Sequence, residues 1–128
     1  MDNKNIFILI VVLLILGTLA TVMLRSSDTP PAPGKYDEFA GCLKDKGAVF
    51  YGAFWCSHCQ AQKKLFGSSA QLLPYVECST LDGQNQLPVC TEKKIESYPT
   101  WEFADGSRLG GEIALQTLSE KTTCPLPI

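Results

Sequence analysis

The residues of this chain best equipped for chemistry are Cys56 and Cys59, set within Phe54-Trp55-Cys56-Ser57-His58-Cys59-Gln60 between an apolar run and a helix-like segment. Two thiols at i and i+3 at the start of a helix share a face and can close a disulfide with little backbone movement. The chemistry this allows is reversible two-electron exchange with other thiols and disulfides. At a helix N-terminus the unpaired amides and the positive end of the dipole favour thiolate over thiol, so Cys56 is the expected nucleophile. Cys59, one turn on, is the expected resolving partner. His58 is placed to add cationic charge beside that thiolate. The plainer reading of His58 is a solvated spacer.

A C-x-x-C pair also serves zinc, but zinc usually takes four ligands, and the single histidine of the chain lies inside the spacer. No metal and no cofactor are expected, since the sequence carries no haem motif, no flavin or nicotinamide fingerprint and no second C-x-x-C. Copper(I), which takes soft ligands, is the one metal reading open to Cys56, Cys59 and His58.

The elements that must position the pair can be read from periodicity and turn residues. A buried strand over 48–54 leads into a helix over 56–66, which Gly67 stops. An earlier helix is predicted over 37–46, with Phe39 and Leu43 on one face and Asp37 as its cap. Downstream come a strand over 75–79, a polar loop over 80–88 and a short helix over 89–96. Strands over 100–104 and 107–110 flank Asp105-Gly106, a two-residue hairpin signal, and a last helix covers 114–122.

Ahead of the domain, residues 6–24 form an uncharged run of nineteen, enough to cross a bilayer as a helix. Residues 1–25 are therefore expected to be a single-pass transmembrane anchor, and 26–35, with Pro30, Pro31, Pro33 and Gly34, a semi-extended spacer. The alternative is a signal peptide cut near Thr18-Leu19-Ala20. Lys4 and Arg25 oppose each other, so charge bias does not fix orientation. Six cysteines in a short chain favour an oxidising compartment and place the domain on the extracytoplasmic side of the cell membrane. Residues 36–128 suffice for one modest core, a monomer is expected, and a net charge of −2 gives no basic face for nucleic acid.

The order strand, Trp55-Cys56-x-x-Cys59, helix, strand, helix, Tyr98-Pro99-Thr100, hairpin, helix resembles the thioredoxin superfamily. Tyr51-Gly52-Ala53-Phe54-Trp55-Cys56, His58-Cys59-Gln60, Pro74-Tyr75-Val76-Glu77-Cys78-Ser79, Cys90-Thr91-Glu92 and Ser97-Tyr98-Pro99-Thr100-Trp101 narrow the likeness to one group. They are similar to the thioredoxin-like domain that accompanies bacterial and plant vitamin K epoxide reductase homologues, over residues 39–118. The resemblance implies an α/β thioredoxin-like fold, a central mixed sheet flanked by helices. It also implies a cis Pro99 packed against the C-x-x-C, with Trp55, Tyr98 and Thr100 meeting an incoming substrate. Two departures stand out: Ser57 replaces the usual proline, and Phe50 sits where thioredoxins carry a buried carboxylate. Glu77, in the next strand, is a candidate replacement base, or else a solvated glutamate.

With Cys56 and Cys59 paired, the other four cysteines allow three connectivities. The resemblance implies Cys78 with Cys90, which leaves Cys42 to Cys124, both as structural bridges. A second redox pair made by Cys78 and Cys90 stays open. The expected function is a membrane-anchored thiol-disulfide oxidoreductase acting on protein thiols and re-oxidised by an integral membrane oxidase like vitamin K epoxide reductase. The open alternatives are a reductase using the same residues, for example in cytochrome maturation, a copper-handling module, or a binding module without turnover.

Overall fold

The computed structural model describes residues 2–24 and 32–128, and the side chains in those ranges except those of 22–24. Of the expected spacer, positions 26–31 lie outside the described residues. Two units result, one at the N-terminus and one from Pro33 to Ile128. In the first, helix α1 (Asn3–Leu24) exposes every side chain from Asp2 to Thr21. Its stretch Asn3–Thr21 is long and apolar enough to cross a membrane.

In the second unit, β1 (Val49–Gly52), β2 (Tyr75–Glu77), β3 (Thr100–Glu102) and β4 (Arg108–Gly110) form one sheet in the order β2-β1-β3-β4. β1 pairs parallel with β2, placing Gly52 beside Glu77, and antiparallel with β3, placing Phe50 beside Trp101. Its continuous run Val49-Phe50-Tyr51 suits a central strand covered on both faces. A parallel neighbour needs a crossover, and α3 (Ser57–Leu65) provides it, followed by a 3-10 helix (Gly67–Leu72). The expected mixed sheet flanked by helices is what forms.

The core is built from aromatic stacks. Phe50 lies against Trp101 at 4.8 Å, and Phe39 of α2 (Asp37–Asp45) against Phe66 at 5.8 Å. Such pairs add to the burial of large apolar area. α4 (Pro88–Glu92) and α5 (Leu115–Thr122) complete the unit.

Two disulfides staple it. Cys42–Cys124 ties α2 to the segment after α5 across a separation of 82, and Cys78–Cys90 ties the end of β2 to α4 across 12. Loop entropy alone assigns roughly 4.5 and roughly 3 kcal/mol to them.

Four local expectations need correction. Asp37 does not cap α2: it is the first helical residue, and its Oδ2 accepts the Gly34 N–H at 2.8 Å, so the fold begins inside the expected spacer. α4 stops at Glu92, because Lys94 turns left-handed (φ +54°) and the Ile95 N–H returns to the Cys90 carbonyl at 3.0 Å. The hairpin has three loop residues rather than two. Phe103 N–H meets the Ser107 carbonyl at 3.0 Å, and Gly106 takes the left-handed position that such a loop requires. The 3-10 helix was not expected; in it Ser69, fully buried, takes the Tyr36 N–H on its hydroxyl at 3.0 Å.

Candidate active site

β1 delivers the chain to the dithiol and a tight turn hands it to α3. The Cys56 N–H donates to the Ala53 carbonyl at 3.0 Å, and Cys56, with φ −74° and ψ 115°, occupies the N-cap of α3. Its Sγ accepts the Cys59 N–H at 3.2 Å. A sulfur thus takes the place usually held by a hydroxyl or carboxylate oxygen, and a negative charge there meets a donor already aimed at it. Both cysteines are free.

Their exposure is graded. Cys56 keeps 6% of its surface and opens on a depression of about 360 Å³ lined by Trp55, Cys56, Ser57, His58 and Tyr98. Cys59 keeps none. Burial first, then its contact with the Cys56 sulfur, pushes the Cys59 thiol up to about 12. Gly52 makes room for this thiol: a Cβ there would stand 3.0 Å from Cys59 Sγ and 2.9 Å from Tyr75 Cε2.

The turn before Cys56 hangs on Glu77. Its Oε1 accepts the N–H groups of Phe54 at 3.2 Å and Ser79 at 2.9 Å, and its Oε2 accepts the Tyr75 hydroxyl at 2.7 Å. Three donors converge on the half-buried carboxylate, so Glu77 fastens the turn that presents Cys56. Burial, then this bond to Glu77, raises Tyr75 far above the ordinary phenol range. Gln60 Nε2 closes the turn from the helix side by donating to the Phe54 carbonyl at 2.9 Å.

Phe54 and Trp55 are not core aromatics: they are 47% and 55% exposed. Trp55 is nonetheless fixed, since its Nε1–H donates to Ser79 Oγ at 2.8 Å and its ring meets Tyr98 edge-on at 6.0 Å. The Tyr98–Pro99 bond is cis. The Tyr98 hydroxyl takes a bond from Gln86 Nε2 at 2.6 Å, and the Pro99 carbonyl accepts the Gly111 N–H at 2.9 Å. Thr100 is brought near in chain but not to the mouth: it is buried, with its hydroxyl donated to the Ser97 carbonyl at 2.7 Å.

His58 stands on the rim with Nδ1 2.7 Å from Glu112 Oε1. A carboxylate only accepts, so Nδ1 is the protonated nitrogen. Among the described residues, no three His, Cys, Asp or Glu side chains are grouped to hold a metal.

Sequence reasoning missed Glu112 and Gln62. Gln62 is fully buried in α3 and grips both backbone groups of Ile113, accepting its N–H at 2.6 Å and donating to its carbonyl at 3.0 Å. The signal was there for Gln62, which lies at i+3 from Cys59 and i−4 from Phe66 on the buried stripe. For Glu112 there was none, since only the tertiary fold brings it to His58.

Over 84 residues the chain is 46% identical to the thiol-disulfide oxidoreductase LTO1 of Arabidopsis thaliana, an alignment covering 62% of this chain and 22% of that protein. The chain thus spans about a fifth of the length of that relative. The Thioredoxin family model matches residues 34–121, which hold the whole sheet, the dithiol turn and Pro99. The chain belongs to the thioredoxin family.

Proposed function

We propose that this chain is a membrane-anchored thiol-disulfide oxidoreductase. It gives disulfides to exported proteins and is re-oxidised by a quinone-linked integral membrane enzyme resembling vitamin K epoxide reductase. The observation that carries the reading is the unequal burial of the two thiols, 6% exposed for Cys56 and none for Cys59. In the oxidised protein, a substrate thiolate attacks Cys56 Sγ, forming a mixed disulfide and expelling Cys59, which takes up a proton. A second substrate thiolate then attacks the substrate's own sulfur. The substrate leaves as a disulfide, and two electrons stay on Cys56 and Cys59.

Return attack by Cys59 would release the substrate still reduced, and the sealed surroundings of Cys59 keep its thiol protonated once it has been expelled. Phe54, Trp55 and Tyr98 give an apolar lip on which an unfolded segment can rest, with Pro99 and the backbone of Thr100 behind it. The apolar helix Asn3–Thr21 supports anchoring with the domain on the extracytoplasmic side, where Cys42–Cys124 and Cys78–Cys90 persist.

Blocking the resolving step tests the reading. Cys59→Ser expressed in its native membrane should accumulate a mixed disulfide through Cys56 with an integral membrane protein. Recovery of soluble cytoplasmic partners alone would overturn it.

A further inference from the structure

We propose that Glu112 is a positioning residue for the dithiol: by holding His58, it sets how oxidising the Cys56/Cys59 pair is. The inference rests on the dithiol reading above. Glu112 belongs to a strap, Gly111 to Ile113, that is fastened on both sides by backbone bonds independent of the Glu112 side chain. On one side the Gly111 N–H donates to the Pro99 carbonyl at 2.9 Å. On the other the buried Gln62 takes both backbone groups of Ile113 at 2.6 and 3.0 Å. Gln62 and His58 share one helix, α3, so the two ends of the ion pair are placed by the same element.

This prior fixing matters because an exposed ion pair is ordinarily weak, much of its gain being lost in ordering two free side chains. Here the carboxylate is carried to within 2.7 Å of His58 Nδ1 by backbone already ordered for other reasons. The consequence follows from where charge resides in each redox state. When the disulfide takes two electrons from two glutathione thiols, the products are the reduced pair and oxidised glutathione, and any negative charge on Cys56 Sγ, its proton released to water, exists only on the reduced side, where the Cys59 N–H meets it. A cation beside Cys56 stabilises only the reduced side of that equilibrium, and so makes the disulfide a stronger oxidant. His58 adjoins Cys56 in the lining of the depression. Glu112 pairs with His58 Nδ1 at 2.7 Å, offsets any positive charge on the ring and holds it at the rim, so its presence moderates the oxidant.

The strap also joins the site to the substrate-docking turn, since the Pro99 carbonyl holds Gly111.

The test is a double-mutant cycle on the full chain. Equilibrium constants with glutathione are read at one fixed pH for all four proteins. Glu112→Gln should make the pair two- to five-fold more oxidising than wild type. In a His58→Gln background the same substitution should change the constant by less than 1.5-fold. No change in Glu112→Gln alone, a shift toward a weaker oxidant, or an equal shift without His58 would each overturn the proposal. A wild-type protein that does not equilibrate with glutathione at all would instead defeat the oxidoreductase reading itself.

Discussion

Cys56 Sγ accepts the backbone N–H of Cys59 at 3.2 Å, so the sulfur proposed as nucleophile is met by the amide of its proposed resolving partner. The two thiols therefore share one helical turn but not one environment. Cys56 faces the mouth, while Cys59 is sealed behind it and pushed up to about 12 by burial.

The first consequence is selective labelling. In the reduced protein, iodoacetamide at pH 7–8 should modify Cys56 alone, and Cys56→Ser should leave no fast-reacting thiol. Peptide mapping of the labelled protein checks this; early label on Cys59 would reverse the assigned roles.

A pH effect on stability follows from the same contrast. Unfolded, the Cys59 thiol loses its proton near the ordinary 9.0; folded, near about 12. Between those values the folded state keeps a proton that the unfolded state has lost, so stability falls as pH rises. Below pH 9 the contribution is fully present. The disulfide form lacks the thiol and lacks this loss. The Tm difference between the reduced and oxidised forms should therefore move against the reduced form between about pH 9 and pH 12, as calorimetry of both forms would show. A constant difference would contradict the burial of Cys59.

Glu77 separates two roles by substitution. If it fastens the turn, Glu77→Gln keeps an acceptor for Phe54 and Ser79 and retains most exchange activity, whereas Glu77→Ala leaves those donors unpaired and costs about 1–3 kcal/mol of stability. Insulin reduction and urea unfolding measure both quantities. A Gln variant as impaired in exchange as Ala would restore the carboxylate as a base.

Much of this was legible in the sequence, because it rested on local rules. The helix after Cys56 and the strand through Phe50 and Tyr51 follow from periodicity and from the glycine after Phe66, and the mixed sheet from the family resemblance. The thiols themselves were identified by spacing. What stayed hidden depended on pairings distant in the chain. Glu112 meets His58 across 54 positions, and Gln62 meets Ile113 across 51; no window of sequence holds both partners. The resemblance placed Trp55 at the substrate side, but how it is held there, by its bond to Ser79, again depends on a residue distant in the chain.

Gly52 offers a steric test of the buried thiol's pocket. Gly52→Ala would set a Cβ 3.0 Å from Cys59 Sγ and 2.9 Å from the Tyr75 ring. A destabilisation of about 1–3 kcal/mol in urea unfolding is expected. A neutral substitution would mean that β1 and α3 are not packed this closely.

The reduction potential of the Cys56/Cys59 pair, fixed by equilibration in glutathione buffers at pH 7, tests disulfide donation most directly. We expect a value between about −120 and −200 mV, in the range of proteins that oxidise others. A value near −270 mV, where thioredoxin works as a reductant, would contradict it.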